Sequence, residues 1–330
     1  MSRTYDVYGI GNALVDIQYR VDPAYLGRMG IEKGLMTLVD EERQQALIDS
    51  LQDADSERSS GGSAANTMIA LAGLGGKGYY ACKVGLDEYG TFYLADLEVA
   101  GVDTNPGNRA EGVTGKCIVL ITPDADRTMN TFLGITGSFG PEQVEEDVIR
   151  ESQHLYIEGY LLTSEVGHRS ALAAQSYAKA HGTRVAVTLS DPSVVEAFRD
   201  RIDELVDGGV DLLFCNEDEA QTFTGTTATE DACAGLAARV GGFAVTCGAE
   251  GAIVGREGET WKAPGFAVGA VDTNGAGDAF AGAFLFGITH GYDFAQSAKL
   301  ATYTSSRVVA KYGPRLDVSL SGEVERILGS

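Results

Sequence analysis

Val271-Asp272-Thr273-Asn274-Gly275-Ala276-Gly277-Asp278-Ala279-Phe280 is the stretch on which the reading of this chain turns. It sets small, glycine-flanked peptides and a carboxylate where an apolar segment begins. The continuation, Ala279-Phe280-Ala281-Gly282-Ala283-Phe284-Leu285-Phe286, is apolar on every side, which predicts a buried helix. Backbone N–H groups at a helix start attract anions, and glycine lets a phosphate approach the backbone closely. A carboxylate beside such an anion hole is placed to accept a proton from an attacking hydroxyl. Together these features point to phosphoryl transfer. The same Gly275-Ala276-Gly277-Asp278 also has the composition of an ordinary tight turn with a capping carboxylate, so the rest of the chain must decide.

Upstream of this stretch, from about residue 150, short β-rich runs alternate with helical patterns. His154 to Ile157, Arg184 to Leu189, Asp211 to Cys215 and Phe243 to Cys247 read as strands, with helices expected over 166–181 and from Val194 to Val206. Such alternation predicts a parallel sheet covered by helices on both faces. Each run ends in polar residues: Glu158-Gly159, Ser190-Asp191, Asn216 to Glu219, and Thr246-Cys247-Gly248. Open α/β sheets bind ligands beyond the carboxyl ends of their strands, so four polar ends in series mark a site. Nearer the N-terminus, Tyr5 to Ile10 reads as a first core strand. Gly115 to Thr122 and Thr128 to Leu133 flank the turn Pro123-Asp124-Ala125-Asp126. With Ala13 to Tyr19 and Leu35 to Val39, they are expected to form a small sheet projecting from the body as a lid. The chain is expected to be a single α/β domain over 1–330, with lid segments roughly at 12–40 and 108–136.

Composition sets the bounds. The 330 residues suffice for a large core, and 44% hydrophobic with 22% charged residues is ordinary for a soluble globular protein. The first thirty residues lack a signal-peptide pattern and no apolar run approaches a membrane span, so the expected location is the cytoplasm. Cys82, Cys117, Cys215, Cys233 and Cys247 are odd in number, lack metal-type spacing and read as reduced thiols. A formal charge of −22 argues against nucleic acid or an anionic membrane as partner. A phosphate ligand in so acidic a protein needs backbone dipoles, a divalent cation and a few placed cationic side chains.

Other nucleotide motifs fail. Leu14 stands where a dinucleotide fingerprint starting at Gly9 requires glycine. Gly76-Lys77 and Gly115-Lys116 lack the remaining P-loop residues. His154, His168, His181 and His290 form no zinc motif, and no G-x-S-x-G elbow is present. A phosphoryl-transfer enzyme without a P-loop remains.

Two long stretches carry a family resemblance. Gly61-Gly62-Ser63-Ala64-Ala65-Asn66, running on through Ala81 to Gly90, resembles the first signature of the ribokinase-like (PfkB) carbohydrate kinases, and Asp272 to Asp278 resembles the second. The likeness extends through Gly11 to Asp16, Asn216 to Glu219 and Val245 to Gly248, and so covers essentially the whole chain. It implies a three-layer α/β/α sandwich around a mostly parallel sheet, with a small β-sheet lid. It further implies that Asp278 is the general base and that Gly275, Ala276 and Gly277 form the anion hole for the transferred group. Asn216 and Glu219 match the element that helps hold Mg²⁺ through water, and Thr246, Gly248 and Gly251 match the loop along ATP. Asn12, Asp16, Gly62 and Asn66 match substrate positions, with Glu158 also facing the pocket. Arg127, on the hairpin, would swing over the phosphates as the lid closes. Backbone oxygens near Asp272 and Asn274 resemble a monovalent-cation (K⁺) site. The helix dipole is expected to keep Asp278 ionised and only modestly basic.

Within the family, Gly11 to Asp16, Arg127 to Met129 with Leu133-Gly134, and Tyr156 to Tyr160 look most like the adenosine kinase-like branch. Phe132, Phe139, Tyr160, Leu38 or Met36 would then supply an apolar surface for a base. One departure is Thr302, which stands near the position of a ribokinase-type adenine-contacting Asn. The leading expectation is an ATP- and Mg²⁺-dependent kinase acting on the 5′-hydroxyl of adenosine. The alternatives are a kinase of a free sugar (ribose, fructose or a keto-deoxy sugar acid) and a catalytically silent nucleoside- or sugar-binding protein. The expected partners are small molecules alone, and the chain is expected to be a monomer or a homodimer joined through its lids.

Overall fold

A computed structural model describes residues 3–124, 126–316 and 318–329. Ala125, in the expected hairpin turn, lies outside the described residues.

Among the described residues nine strands form the main sheet. In spatial order they are Glu259–Pro264, Gly251–Arg256, Gly242–Thr246, Leu212–Asn216, Arg184–Thr188, Ser152–Glu158, Tyr5–Ile10, Gly78–Ala81 and Val102–Asp103. The first two are antiparallel additions at one edge, and every other pairing is parallel. Side chains alternate across a strand, and here both sets of alternating residues are apolar. Val7, Tyr156, Ala186, Phe214 and Ala244 join one core with the helices Ser63–Gly73, Ala276–Thr289 and Phe294–Val309. Their neighbours Tyr8, Leu155, Val185, Leu213 and Val245 join a second core with the helices Glu165–His181, Arg199–Asp207, Glu217–Thr224 and Thr229–Ala237. The result is the expected three-layer α/β/α arrangement.

The Ala276–Thr289 helix is buried from Ala279 through Gly287, as its all-round apolar sequence requires. Burial of Phe280 and Phe284 stabilises the fold by about 1.5–3 kcal/mol each. Gly282 lets this helix lie directly against Ser63–Gly73, since a Cβ there would sit 2.3 Å from the Thr67 carbonyl oxygen. The one helix expected from Val194 to Val206 is instead two, Pro192–Ala197 and Arg199–Asp207. They are divided at Phe198, whose backbone (φ −121°, ψ 30°) leaves the helical region.

A second sheet of five strands has the order Met36–Leu38, Arg127–Phe132, Gly115–Ile121, Leu14–Arg20 and Ser56–Gly61. Four of these match expected segments to within a residue or so. Ser56–Gly61 was not expected: its Ser-Glu-Arg-Ser-Ser-Gly sequence has no apolar alternation, and antiparallel pairing with Leu14–Arg20 makes it a strand. All five cysteines are free thiols, four buried and Cys247 half-buried. Among the described residues no helix is long and apolar enough to cross a membrane.

Candidate active site

One cavity of about 770 Å³ lies beyond the carboxyl ends of the central strands, between the two sheets. It gathers most of the residues expected from the sequence: Asn12, Asp16, Gly62, Asn66, Glu158, Asn216, Glu219, Thr246, Asn274, Gly275, Gly277 and Asp278 all line it. Ala276, Gly248, Gly251, Asp272 and Arg127 do not.

The phosphoryl side is built on the start of the Ala276–Thr289 helix. Gly275 caps it at φ +74°, and a Cβ there would lie 2.3 Å from the Pro314 carbonyl oxygen, so both backbone angle and packing demand glycine. At Gly277 the space around an added Cβ is open, which leaves the backbone approachable from the cavity. Among the described residues nothing accepts a hydrogen bond from the Gly277 or Asp278 amide. Two unpaired amides at a helix N-terminus form an anion hole.

Asp278 stands at the same turn. Its carboxylate accepts hydrogen bonds from Ser63 Oγ at 2.6 Å and Asn66 Nδ2 at 3.2 Å, both on the facing Ser63–Gly73 helix. Burial pushes its pKa up to about 6, against the downward pull of those two donors. Loss of hydration outweighs those hydrogen bonds and makes Asp278 more basic than the modest base expected from the sequence. A base titrating near 6 is largely ionised at neutral pH and a better proton acceptor than an ordinary aspartate.

Three further carboxylates of the cavity are shifted the same way. Glu158 accepts from the Ala64 amide at 2.9 Å and from the Asn12 amide and Nδ2 at 3.3 and 3.2 Å. Burial holds its pKa at about 7. Asp16 is raised to about 7 by burial, partly offset by Arg315 and Arg127. Its carboxylate sits directly over Gly61, where a Cβ would meet it at 2.4 Å. Glu219 forms a reciprocal cap with Asn216, its Oε1 accepting from Asn216 Nδ2 at 2.8 Å and its Oε2 from the Asn216 amide at 3.1 Å. Burial raises it to about 7, reinforced by Asp191, Asp218 and Asp278. Four carboxylates shifted toward neutrality in one cavity mark a functional site.

These acidic groups also bear on a divalent cation. Glu219 and Asp191 face the cavity with mutually repelling charges, and oxygen donors suit a hard cation. Among the described residues no three His, Cys, Asp or Glu side chains converge on one point. The donor set therefore fits an ion held mainly by phosphate and water beside Glu219 and Asp191.

Arg127 is not a surface residue. It is 9% exposed and forms a buried ion pair with Asp272, joining the second sheet to the segment before the anion hole. Asp272 also accepts from the Asn274 and Gly313 amides at 3.1 and 2.8 Å. Gly251, at φ +105°, is required by the approach of the Ala263 carbonyl oxygen, whereas Gly248 (φ +53°) faces open space. Of the apolar candidates, Met36, Leu38 and Tyr160 line the cavity and Phe132 does not. Phe139 belongs to the second core. Thr302 is buried in the Phe294–Val309 helix and donates to the Lys299 carbonyl.

Three neighbours of the site were not singled out from sequence. Ser63 lay inside a quoted motif, and Asp191 was visible only as a polar strand end. Arg315, which donates to Asn66, has no local signal in the sequence.

The chain matches the model of the pfkB family of carbohydrate kinases over residues 36–320. It is 28% identical to the adenosine kinase of Saccharomyces cerevisiae over 326 residues, covering 92% of this chain and 95% of the yeast protein. Among solved structures, the adenosine kinase of Sinorhizobium meliloti is 36% identical, with a TM-score of 0.90 over 98% of this chain and 99% of that one. A probable sugar kinase of Rhizobium etli is 34% identical, with a TM-score of 0.91 over 99% of both chains. A family match over residues 36–320, most of the length, makes this chain a member of the pfkB family of carbohydrate kinases.

Proposed function

We propose that the protein transfers the γ-phosphoryl group of ATP to the 5′-hydroxyl of adenosine, releasing ADP and AMP. The observation that carries this reading is Asp278: a buried carboxylate of pKa about 6, at the start of a helix whose Gly277 and Asp278 amides lack acceptors among the described residues. Asp278 takes the hydroxyl proton as the oxygen attacks phosphorus, while the amides of the Gly275–Asp278 turn hold the charge on the moving group. Asp16 supports the acceptor side. Its carboxylate faces the cavity with no side-chain hydrogen bond among the described residues, and it suits vicinal ribose hydroxyls. Asn12, Gly62, Asn66 and Glu158 complete that wall, and Met36, Leu38 and Tyr160 offer the apolar surface a purine needs.

Thr246, Gly248 and Gly251 belong to the ATP side in this reading. Asn216 and Glu219 would hold Mg²⁺ through water, and the ion's charge would offset that of the phosphates. The second sheet acts as a lid on the single domain, with Arg127 exchanging Asp272 for phosphate when ATP arrives. Asp272 already has three partners, so a K⁺ site near Asp272 and Asn274 would rest on backbone oxygens, and replacing K⁺ by a bulky ammonium ion tests it. The main experiment is ADP release against a panel of nucleosides and free sugars, with Asp278→Asn as control. Faster turnover of ribose or fructose than of adenosine would overturn adenosine as acceptor, and full turnover by Asp278→Asn would overturn the base.

A further inference from the structure

Residues 313–315, after the Phe294–Val309 helix, touch the site at three points. The Gly313 amide donates to Asp272 at 2.8 Å, and buried Pro314 packs against Gly275 at the anion hole. Arg315 reaches the other way. Its Nη1 pairs with Asp96 at 2.8 Å, Nη2 donates to Ser60 Oγ at 2.6 Å, and Nε donates to Asn66 Oδ1 at 3.3 Å. Asn66 in turn donates from Nδ2 to Asp278.

We infer that Arg315 is a positioning residue for Asp278, acting through the side-chain amide of Asn66. This role follows from the pattern of donors and acceptors and rests on Asp278 being the base. An amide can present either its oxygen or its nitrogen to a given neighbour. With a guanidinium on one side and a carboxylate on the other, only one choice is free of conflict: oxygen toward Arg315, nitrogen toward Asp278. The flipped amide would set donor against donor and acceptor against acceptor. The guanidinium itself cannot drift, because its two remaining nitrogens are held by Ser60 and Asp96, from the second sheet and the Glu88–Val99 helix. Asp96 is held below the usual carboxylate range, since the hydrogen bonds from Ser60 and Arg315 outweigh its burial. Arg315 therefore orients the base without touching it.

Arg315→Lys separates this role from a merely structural one. An ammonium keeps the charge beside Asp96 but lacks the planar fork that reaches Asn66 at the same time. The expected result is a fall in kcat of about tenfold to a hundredfold with the KM for ATP unchanged. Asn66 no longer holds the ionised form of Asp278, so the acid limb of the pH–rate profile should move to higher pH. Other titratable groups facing Asp278 are Asp16, Tyr156, Glu158, Tyr160 and Glu219, and all of them are kept in this variant. In an Asn66→Ala background the Arg315→Lys effect should vanish, since the relay is already cut. A carboxyl-carbon NMR titration of Asp278, assigned with Asp278→Asn, reads the same shift without turnover. It decides the role of Arg315 even if no acceptor in the panel is phosphorylated, an outcome that would sink the kinase reading alone. An unchanged Asp278 titration in Arg315→Lys, or an equal loss of kcat in both backgrounds, would overturn the inference.

Discussion

The nine-stranded sheet is covered on both faces, whereas the five-stranded sheet ends in Met36–Leu38, a strand whose three residues are all exposed. Met36 and Leu38 nevertheless line the cavity. In the proposed reading the first sheet carries the groups that act on phosphate, and the second carries Asp16, Met36 and Leu38 on the acceptor side. In that reading the chemistry rests on the part with the deeper core, and the acceptor meets the part with the barer edge. A rigid support suits a base whose placement sets the rate, and a thinly covered one suits a surface that must move around its ligand.

The sharpest test of this contrast is Asp278→Asn. Loss of the base should cut kcat by about 10²–10⁴-fold. Thermal unfolding should show no destabilisation at neutral pH, because a costly buried charge is removed; a large loss of stability would make Asp278 a structural residue. Next comes Arg127→Met, which strands the Asp272 carboxylate at the joint between the sheets. Breaking a buried pair from one side costs about 3–5 kcal/mol, measurable by urea unfolding. A change below about 0.5 kcal/mol would mean that Arg127 is solvated in solution and the joint is loose.

A third test uses pH. Asp16 has a folded-state pKa of about 7, well above that of an unfolded aspartate, so the native state binds its proton more tightly. The stability this gives is fully present below the unfolded pKa and is lost as pH rises through about 7. Asp16→Asn removes that loss. The variant should be more stable than the parent at pH 8, with the difference closing on acidification, while the KM for the acceptor rises. A difference in melting temperature that does not change with pH would contradict the buried placement of Asp16. The smallest effect is expected at the bare edge. Leu38→Ser should change stability by less than about 0.5 kcal/mol yet raise the acceptor KM, and an unchanged KM would remove the edge strand from the site.

The same contrast governs what could be read from the sequence. Five strands of the main sheet were legible because they are short apolar runs with polar ends, and a strand buried on both faces leaves that mark; Gly78–Ala81, Val102–Asp103, Gly251–Arg256 and Glu259–Pro264, toward the edges, were not. Ser56–Gly61 was not, because a polar strand is made by its partner. Nor was the break at Phe198, since an aromatic residue in a helical pattern reads as helix. Asp278, Asn216 and Glu219 could be placed by their motif, but the basicity of Asp278 could not. It depends on how much water the fold removes, and the sequence reading saw only the helix dipole. Arg127 was seen as a hairpin arginine because its partner Asp272 lies far along the chain. Arg315 shares that cause: its three contacts come from three distant segments.

The contact at Gly282 has a consequence for how this scaffold can change. The two helices that bring Ser63 and Asn66 to Asp278 meet backbone to backbone, 2.3 Å from where a side chain would begin. No swap of packing residues can widen or narrow that crossing by a small step, so the spacing between base and donors has no gradual adjustment. The wall formed by Met36, Leu38 and Tyr160 is made of side chains and can be retuned one substitution at a time. Drift in such a protein should therefore alter which alcohol is accepted long before it alters how the phosphoryl group is moved.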